Sequence, residues 1–369
     1  MDQSDGTLGG MRREIFRMPP DRALELLAKA PFVHLATTGR DGRPILRVVH
    51  GVIVDDWLCF HAAPAGEKME ALGRPAVVSY EEVVAEIPSH FLDPERACPA
   101  TTLYESVQIH GVLERVDDEG RKARVLSALM RRFQPEGGYV PIDPEHPRFA
   151  ELYQRAVRGL LVAGVRLDVI DGKSKLGQNR SPAEMARVLE GLWRRGTPAD
   201  LAAIERLRDV DVATELPPLL RGPVGTELHV ALSERFVPRA TEFLTGTYWN
   251  EGVSGEAIAA AQRGATAWVG ATLDGRLVGC ARAIADGAKW AWIYDVAVDR
   301  ELQRRGIGRA LVALLLEHPA LRRCRAVVLK TRDAHGVYRA LGFVDGEGSS
   351  VGATPMVLRR PATAGPAAR

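Results

Sequence analysis

Gln303-Arg304-Arg305-Gly306-Ile307-Gly308-Arg309 follows an apolar run, Trp290-Ala-Trp-Ile-Tyr-Asp-Val-Ala-Val298, and opens a helical pattern that continues through Leu316. The apolar run reads as a strand. A strand that passes into a helix through a glycine-rich turn leaves backbone N–H groups unpaired at the positive end of the helix dipole. Such a turn suits a pyrophosphate. Gly306 and Gly308 allow close backbone approach, and Arg304, Arg305 and Arg309 add positive charge around Ile307. Plain strand-to-helix turns also use glycine, so the neighbouring sequence has to decide between the two readings.

Around this turn the sequence predicts strands at Leu228–Leu232, Ala267–Leu273, Leu277–Ile284, Ala326–Thr331 and Met356–Leu358. Helices are expected at Glu234–Tyr248, Gly255–Gln262 and Ala334–Leu341. A second stretch, Thr331-Arg-Asp-Ala-His-Gly-Val-Tyr338-Arg-Ala-Leu-Gly-Phe343, sets a tyrosine one helical turn before a Gly-Phe pair. With the glycine loop, it resembles the GCN5-related N-acetyltransferases (GNAT), and the likeness reaches Thr247-Tyr-Trp249, Ala281-Arg282 and Asp286 across residues ~226 to 360. The resemblance implies a mixed-sheet α/β fold that binds acetyl-CoA along Val296, Ala297, Val298 and the loop Arg304–Arg309, and acetylates an amine or peptide acceptor. It also implies that Tyr338 protonates the departing thiolate; the other reading is a tyrosine packed on the core. Backbone N–H groups around Ala297 and Val298 would hold the oxyanion. A protonated amine must lose a proton before attack, and Asp295 and Asp286 are the carboxylates considered for it, each with a loop-orienting role as the alternative.

At 369 residues, with 46% apolar and 26% charged side chains, two globular domains are expected. The 49 basic and 47 acidic residues leave a net charge of +2, too small a field to draw the chain to nucleic acid or an anionic membrane. Cys59, Cys98, Cys280 and Cys324 form no Cys-x-x-Cys pair, and the histidines form no metal-spacing cluster, so no metal is expected. The N-terminus has no signal-peptide pattern, no apolar run approaches membrane length, and a cytoplasmic protein is expected. Arg12-Arg13 reads as a solvated pair.

Before residue 211 the pattern changes to short, β-branched strands. Strands are expected at Phe32–Thr37, Ile45–Val54, Trp57–His61, Ala76–Tyr80, Ser106–Val116 and Leu160–Val169, with helices at Asp21–Ala30, Glu67–Leu72, Arg121–Phe133 and Ala183–Arg194. Gly39-Arg-Asp-Gly42 reads as a hairpin turn, and the set suggests a small β-barrel. Four ordered marks carry a resemblance to FMN-binding split barrels of the pyridoxamine phosphate oxidase superfamily, in its nitroimidazole-reductase-like branch. They are His34-Leu-Ala-Thr37 with Gly42-Arg-Pro44, Phe60-His-Ala-Ala-Pro-Ala-Gly-Glu-Lys68, Tyr104-Glu-Ser-Val-Gln-Ile-His-Gly111 and Gly172-Lys-Ser-Lys-Leu-Gly-Gln-Asn-Arg180.

The resulting expectation is an α+β two-domain chain: a split β-barrel over 12–210, a Pro/Gly linker over 211–226, a GNAT domain over 227–360 and a tail over 361–369. The barrel would bind FMN, with Lys68 at a helix start as a phosphate ligand or else a solvated lysine, and Arg47 facing the ring or phosphate or forming a rim salt bridge. His61 stands where the branch carries a histidine near the ligand pocket, with a buried structural role as the alternative. Gln178, Asn179 and Arg180 either close over the flavin edge or cap a helix starting at Ser181-Pro182. The resemblance further implies a homodimer, because such barrels bind flavin at a subunit interface. Two readings follow: a flavin-reductase-like barrel fused to an N-acetyltransferase, or a non-catalytic flavin sensor or dimerisation module that regulates the transferase. A DNA-binding regulator is disfavoured by the charge balance.

Overall fold

A computed structural model describes residues 14–208, 216–346 and 354–360. Arg12, Arg13, most of the predicted linker and the tail lie outside these residues. The chain divides into two compact units, residues 1–84 with 102–178, and residues 85–101 with 179–369.

In the first unit helix α1 (Pro20–Lys29) precedes strands β1 (Val33–Thr38), β2 (Pro44–Val49), β3 (Val52–Val54) and β4 (Trp57–Ala62). A single turn, α2 (Glu67–Glu70), leads to the long strands β5 (Pro75–Ile87) and β6 (Thr101–Val112), then β7 (Glu114–Arg115). Helices α3 (Glu119–Phe133), α4 (Phe149–Leu152) and α5 (Gln154–Gly159) precede β8 (Leu161–Arg166) and β9 (Val169–Lys175). Two antiparallel sheets result, ordered β2-β1-β5-β6-β9 and β3-β4-β8-β7, the split-barrel architecture expected. Leu35, Phe60, Val78, Ile109 and Leu161 share one core that draws on both sheets and α1. Alternation along β4 explains its position: Leu58 and Phe60 face that core, while Trp57 and Cys59 face a second one against Val125 and Leu129 of α3. The predicted strand Ile45–Val54 is two strands in different sheets, because the chain breaks at His50-Gly51 between β2 and β3.

The second unit contains α6 (Pro182–Arg195) and α7 (Pro198–Arg208), then β10 (Glu227–His229), α8 (Val237–Leu244) and α9 (Gly255–Arg263). Strands β11 (Ala267–Leu273), β12 (Arg276–Ala285) and β13 (Trp290–Val298) lead into α10 (Ile307–Glu317). The unit closes with β14 (Ala326–Thr331), α11 (His335–Arg339), β15 (Val344–Asp345) and β16 (Thr354–Arg359). Its sheet runs β10-β11-β12-β13-β14-β16-β15. Helix α10 covers the face where Gly279 lets Leu311 approach, since a Cβ there would lie 3.1 Å from Leu311 Cδ1. Helices α8 and α9 cover the other face, over Trp268 and Cys280.

Helices α6 and α7 group with this second unit, so the division falls earlier than the sequence-based boundary at 210/211. Physical ties account for it. Arg322 donates to the carbonyls of Trp193 and Arg194 at 3.3 and 2.7 Å. Buried His229 meets Glu205 of α7 through Nδ1 at 2.6 Å and Thr272 of β11 through Nε2 at 3.0 Å. The second Glu205 oxygen accepts the Val230 N–H at 2.7 Å.

Candidate functional site

Strands β13 and β14 run parallel and pair only from Trp290–Ala326 to Trp292–Val328. Both strands continue, to Val298 and Thr331, without pairing further. Just past the point of separation β13 carries a bulge: Asp295 and Val296 together oppose Ala281, between the pairs Arg282–Tyr294 and Cys280–Ala297. A bulge bends the strand that carries it, which suits the parting of β13 from β14. Asp295 adopts φ 55, a left-handed conformation that few side chains other than Asp and Asn tolerate.

A cavity of about 490 Å³ occupies the opening, lined by residues 292–296, 329–331 and 333–334, with Tyr248, Trp249, Arg282 and Tyr338. Tyr338 of α11 is 7% exposed and packs edge-on against Phe343, with ring centroids 5.8 Å apart. Burial, and then the neighbouring Tyr248 and Asp333, push its phenol up to about 12. The hydroxyl therefore stays protonated at neutral pH. It is at once packed on Phe343 and cavity-facing.

Asp295 has a different place from that of a free base. Its carboxylate accepts from Arg282 Nε at 2.5 Å, Trp249 Nε1 at 3.1 Å and Gln262 Nε2 at 3.1 Å. With both oxygens committed, the geometry matches the orienting alternative. Asp286 is likewise a loop organiser: one oxygen accepts the backbone N–H groups of Ala288, Lys289 and Trp290 at 2.7 to 3.0 Å. Those bonds hold its carboxyl below the usual range, and it does not line the cavity that contains Tyr338.

The glycine loop leads directly out of β13. Arg304 has φ 60 and Gly306 has φ 88, with Gly306 as the N-cap of α10 and no side chain capping the helix. Left-handed residues in such a turn make a backbone concavity suited to anions. The first N–H groups of α10, from Ile307, Gly308 and Arg309, have no intrahelical acceptor. Arg304, Arg305 and Arg309 are all exposed around them. A Cβ on Gly308 would meet only Val298 Cγ2 at 3.6 Å, so no protein clash demands a glycine here.

In the first unit Arg47 of β2 forms an ion pair with Glu67, the residue before Lys68, as the rim-bridge alternative held. His61 lies at the exposed end of β4, where partial desolvation, then the charges of His50 and Lys68, lower its pKa. Lys68 and His61 are therefore electrostatic neighbours. Helix α2 is only four residues long, so its dipole adds little for an anion. Gln178 folds back on its own hairpin end, accepting from Leu176 N and donating to Ser174 O, both at 2.8 Å. Arg180 donates to the Pro99 carbonyl at 3.2 Å. Ser181 and Glu184 form a reciprocal cap at the start of α6, so the cap is made by these two residues and not by Gln178 or Arg180. A cleft of about 710 Å³ between β3, α3 and the following loop includes none of the predicted flavin residues.

Sequence reasoning did not single out Asp333, Trp292 or Lys330, which line the cavity. They lie within strands and turns already quoted, but only the separation of β13 and β14 brings them together. Among the described residues no His/Cys/Asp/Glu group forms a metal-binding cluster, and no helix is long and apolar enough to cross a membrane.

Residues 19–158 match the family model of pyridoxamine 5'-phosphate oxidase, and residues 231–343 match that of the acetyltransferase (GNAT) family. The chain thus carries a pyridoxamine-oxidase-like domain followed by one of GNAT type. A comparison with curated proteins finds no match. Similar solved structures include a candidate 5-nitroimidazole antibiotic resistance protein from Bacteroides thetaiotaomicron, 19% identical over 43% of this chain and 85% of that one, with TM-score 0.34. The FAD and heme binding protein from Mycobacterium smegmatis is 23% identical over 42% of this chain and 70% of its own, with TM-score 0.34. A candidate GNAT acetyltransferase from Xanthomonas campestris pv. campestris is 29% identical over 34% of this chain and 94% of its own, with TM-score 0.31.

Replacing Asp295 by alanine removes the acceptor for three donors and leaves the Arg282 guanidinium, 13% exposed, without its partner. Breaking a buried pair in this way costs about 3–5 kcal/mol. Urea denaturation of Asp295→Ala should show a loss of that order; a change below about 1 kcal/mol, the range of a surface pair, would contradict the role given to this carboxylate.

Proposed function

We propose that the chain is an acetyl-CoA-dependent N-acetyltransferase joined to an FMN-binding split barrel that assembles as a homodimer. The observation that carries the transferase reading is the cavity between the separated strands, with Tyr338 on its wall and the glycine loop at the end of the same strand. In this reading the N–H groups of Ile307, Gly308 and Arg309 receive the pyrophosphate, with Arg304, Arg305 and Arg309 as counter-charges. The backbone of Val296, Ala297 and Val298 lies along the thioester arm, and its N–H groups hold the oxyanion. The amine nitrogen bonds to the carbonyl carbon, the C–S bond breaks, and Tyr338 donates to the sulfur as its charge develops. A phenol near 12 stays protonated while a thiol of about 8.5 ionises, which suits that donor role.

For the barrel, the support is a patch that combines cations with apolar surface. Leu46 and Val48 are 60% and 58% exposed on edge strand β2, with Arg47 between them. His61 and Lys68 supply a hydrogen-bonding ring and a cation for a phosphate. Bound FMN would supply redox chemistry at its ring; the protein's part is to hold the phosphate and cover the ring. Exposed apolar residues on an edge strand need a cover, and a second copy of the chain provides one. The same surface favours the second reading, in which the barrel is a dimerisation or flavin-sensing module without turnover. A reducing, cytoplasmic setting belongs to the proposal and suits four free cysteines, three of them buried.

Tyr338→Phe should lower kcat about 10²-fold with acetyl-CoA affinity little changed. Because the phenol titrates near 12, wild-type kcat should not fall between pH 7 and 10 on its account. An unchanged kcat in the mutant, or a falling limb below pH 10 that the mutation abolishes, would remove the acid role.

Lys68→Ala should weaken FMN about tenfold to a hundredfold, the worth of one charge-assisted contact of about 1.5–3 kcal/mol, and leave riboflavin binding nearly unchanged. Equal losses for both ligands, read by fluorescence titration, would exclude a phosphate contact.

Sedimentation at micromolar concentration should give a dimer. A monomer with and without FMN would count against the shared site.

A further inference from the structure

We propose that the acceptor is a monoamine with a flat aromatic body, and that Asp333 receives its ammonium and takes the proton it sheds. This rests on the acetyltransferase reading and identifies the other substrate of the same cavity. Two carboxylates line the cavity, Asp295 and Asp333. Asp295 is fully committed to Arg282, Trp249 and Gln262. Asp333 is exposed and forms no ion pair or hydrogen bond among the described residues.

Its position is nevertheless fixed. The turn between β14 and α11 is pinned by Ala334 N donating to Thr331 Oγ1 at 3.0 Å and by Arg332 N donating to Tyr248 Oη at 3.2 Å. Asp333 lies in that turn, on the same cavity wall as Tyr338. One carboxylate can receive one ammonium.

The surrounding charges exclude a polycation. Besides the Arg282–Asp295 pair, Lys330 lies 5.9 Å from the Trp292 ring centroid, and Arg332 lies 3.9 Å from that of Tyr248. A second or third ammonium would meet these groups in a site that offers it no further carboxylate. The walls themselves are aromatic. Trp292 and Tyr294 stack with centroids 5.9 Å apart, and Tyr248 meets Trp249 edge-on at 4.8 Å. Beyond Trp292 and Lys330, which line both spaces, an open groove of about 680 Å³ continues past Trp290 and Ile284, 52% and 44% exposed. An acceptor with a planar body has apolar surface to lie on and room to extend.

The step balances. The ammonium gives one proton to Asp333, the free nitrogen bonds to the thioester carbonyl carbon, the C–S bond breaks with its electron pair on sulfur, Tyr338 supplies the thiol proton, and the second proton shed by the new amide nitrogen restores the Tyr338 phenol through water. Asp333 then passes its proton to solvent.

The test follows coenzyme A release by the full-length protein with acetyl-CoA and either 2-phenylethylamine or spermidine. 2-Phenylethylamine should be preferred in kcat/KM by about tenfold or more. Asp333→Asn should lower that value about 10²-fold at pH 7, with the deficit shrinking as pH rises and the free amine accumulates. Trp292→Ala should raise the amine KM with kcat little changed. Spermidine used as well as or better than 2-phenylethylamine, no release with 2-phenylethylamine by protein that binds acetyl-CoA, or full activity in Asp333→Asn would each overturn the inference alone. Absence of acetyl-CoA binding in calorimetry would instead overturn the transferase reading beneath it. Unchanged acetyl-CoA affinity in Asp333→Asn separates the loss of a carboxylate from a failure to fold.

Discussion

The second unit depends on the buried carboxylate of Asp295. A non-glycine residue at φ 55 costs of order 1–3 kcal/mol, and the conformation persists only where its surroundings over-determine it. Here they do. Arg282 comes from β12, Trp249 from the turn after α8, and Gln262 from α9, while Gln262 Oε1 accepts from Trp268 Nε1 of β11 at 2.9 Å. A single carboxylate therefore ties two strands, a helix and a loop to the bulge of β13. The bulge bends β13, the bend accompanies its departure from β14, and the departure creates the cavity that contains Tyr338. Both of its oxygens are engaged by Arg282, Trp249 and Gln262, and the proposal gives the acid–base work to side chains around it.

The two units meet their ligand chemistry in different ways. In the second, the proposed anion site is backbone: a left-handed turn and unpaired helix N–H groups, with arginines as counter-charges. Such a site is complete within one chain. In the first, the cations and the apolar surface lie on an exposed edge strand beside a one-turn helix, with no helix dipole of consequence. Its ligand would be exposed on one side unless another surface covers it, so cofactor binding and dimerisation are linked in the proposal.

Legibility in the sequence followed periodicity and local chemistry. Strands β11, β13 and β14 have the predicted ends because their apolar runs stop at turn residues, and α6 begins at Pro182 because Ser181 and Glu184 are a reciprocal cap. Helix α7 was not legible: Gly196-Thr-Pro198 reads as a stop, although Gly196 at φ 70 ends α6 and Thr197 accepts the Asp200 N–H to start the next helix at once. Strand β5 runs to Ile87, past the Tyr80 end expected, because Glu81 and Glu82 interrupt the apolar pattern without interrupting the backbone. The loop Arg304–Arg309 and Tyr338 were legible as motifs. The enclosure of Asp295 by three donors was not, since it depends on a bulge that leaves no mark in composition.

In the proposed transferase, acetyl-CoA lies where β13 leaves β14 and reaches the first turn of α10. Amide hydrogen exchange with and without acetyl-CoA tests it directly, since exchange reports backbone N–H groups segment by segment. Protection should appear in Tyr294–Val298 and Ile307–Arg309, with residues 14–178 unchanged. Protection confined to residues 14–178, or none in either of the two segments at saturating acetyl-CoA, would contradict it.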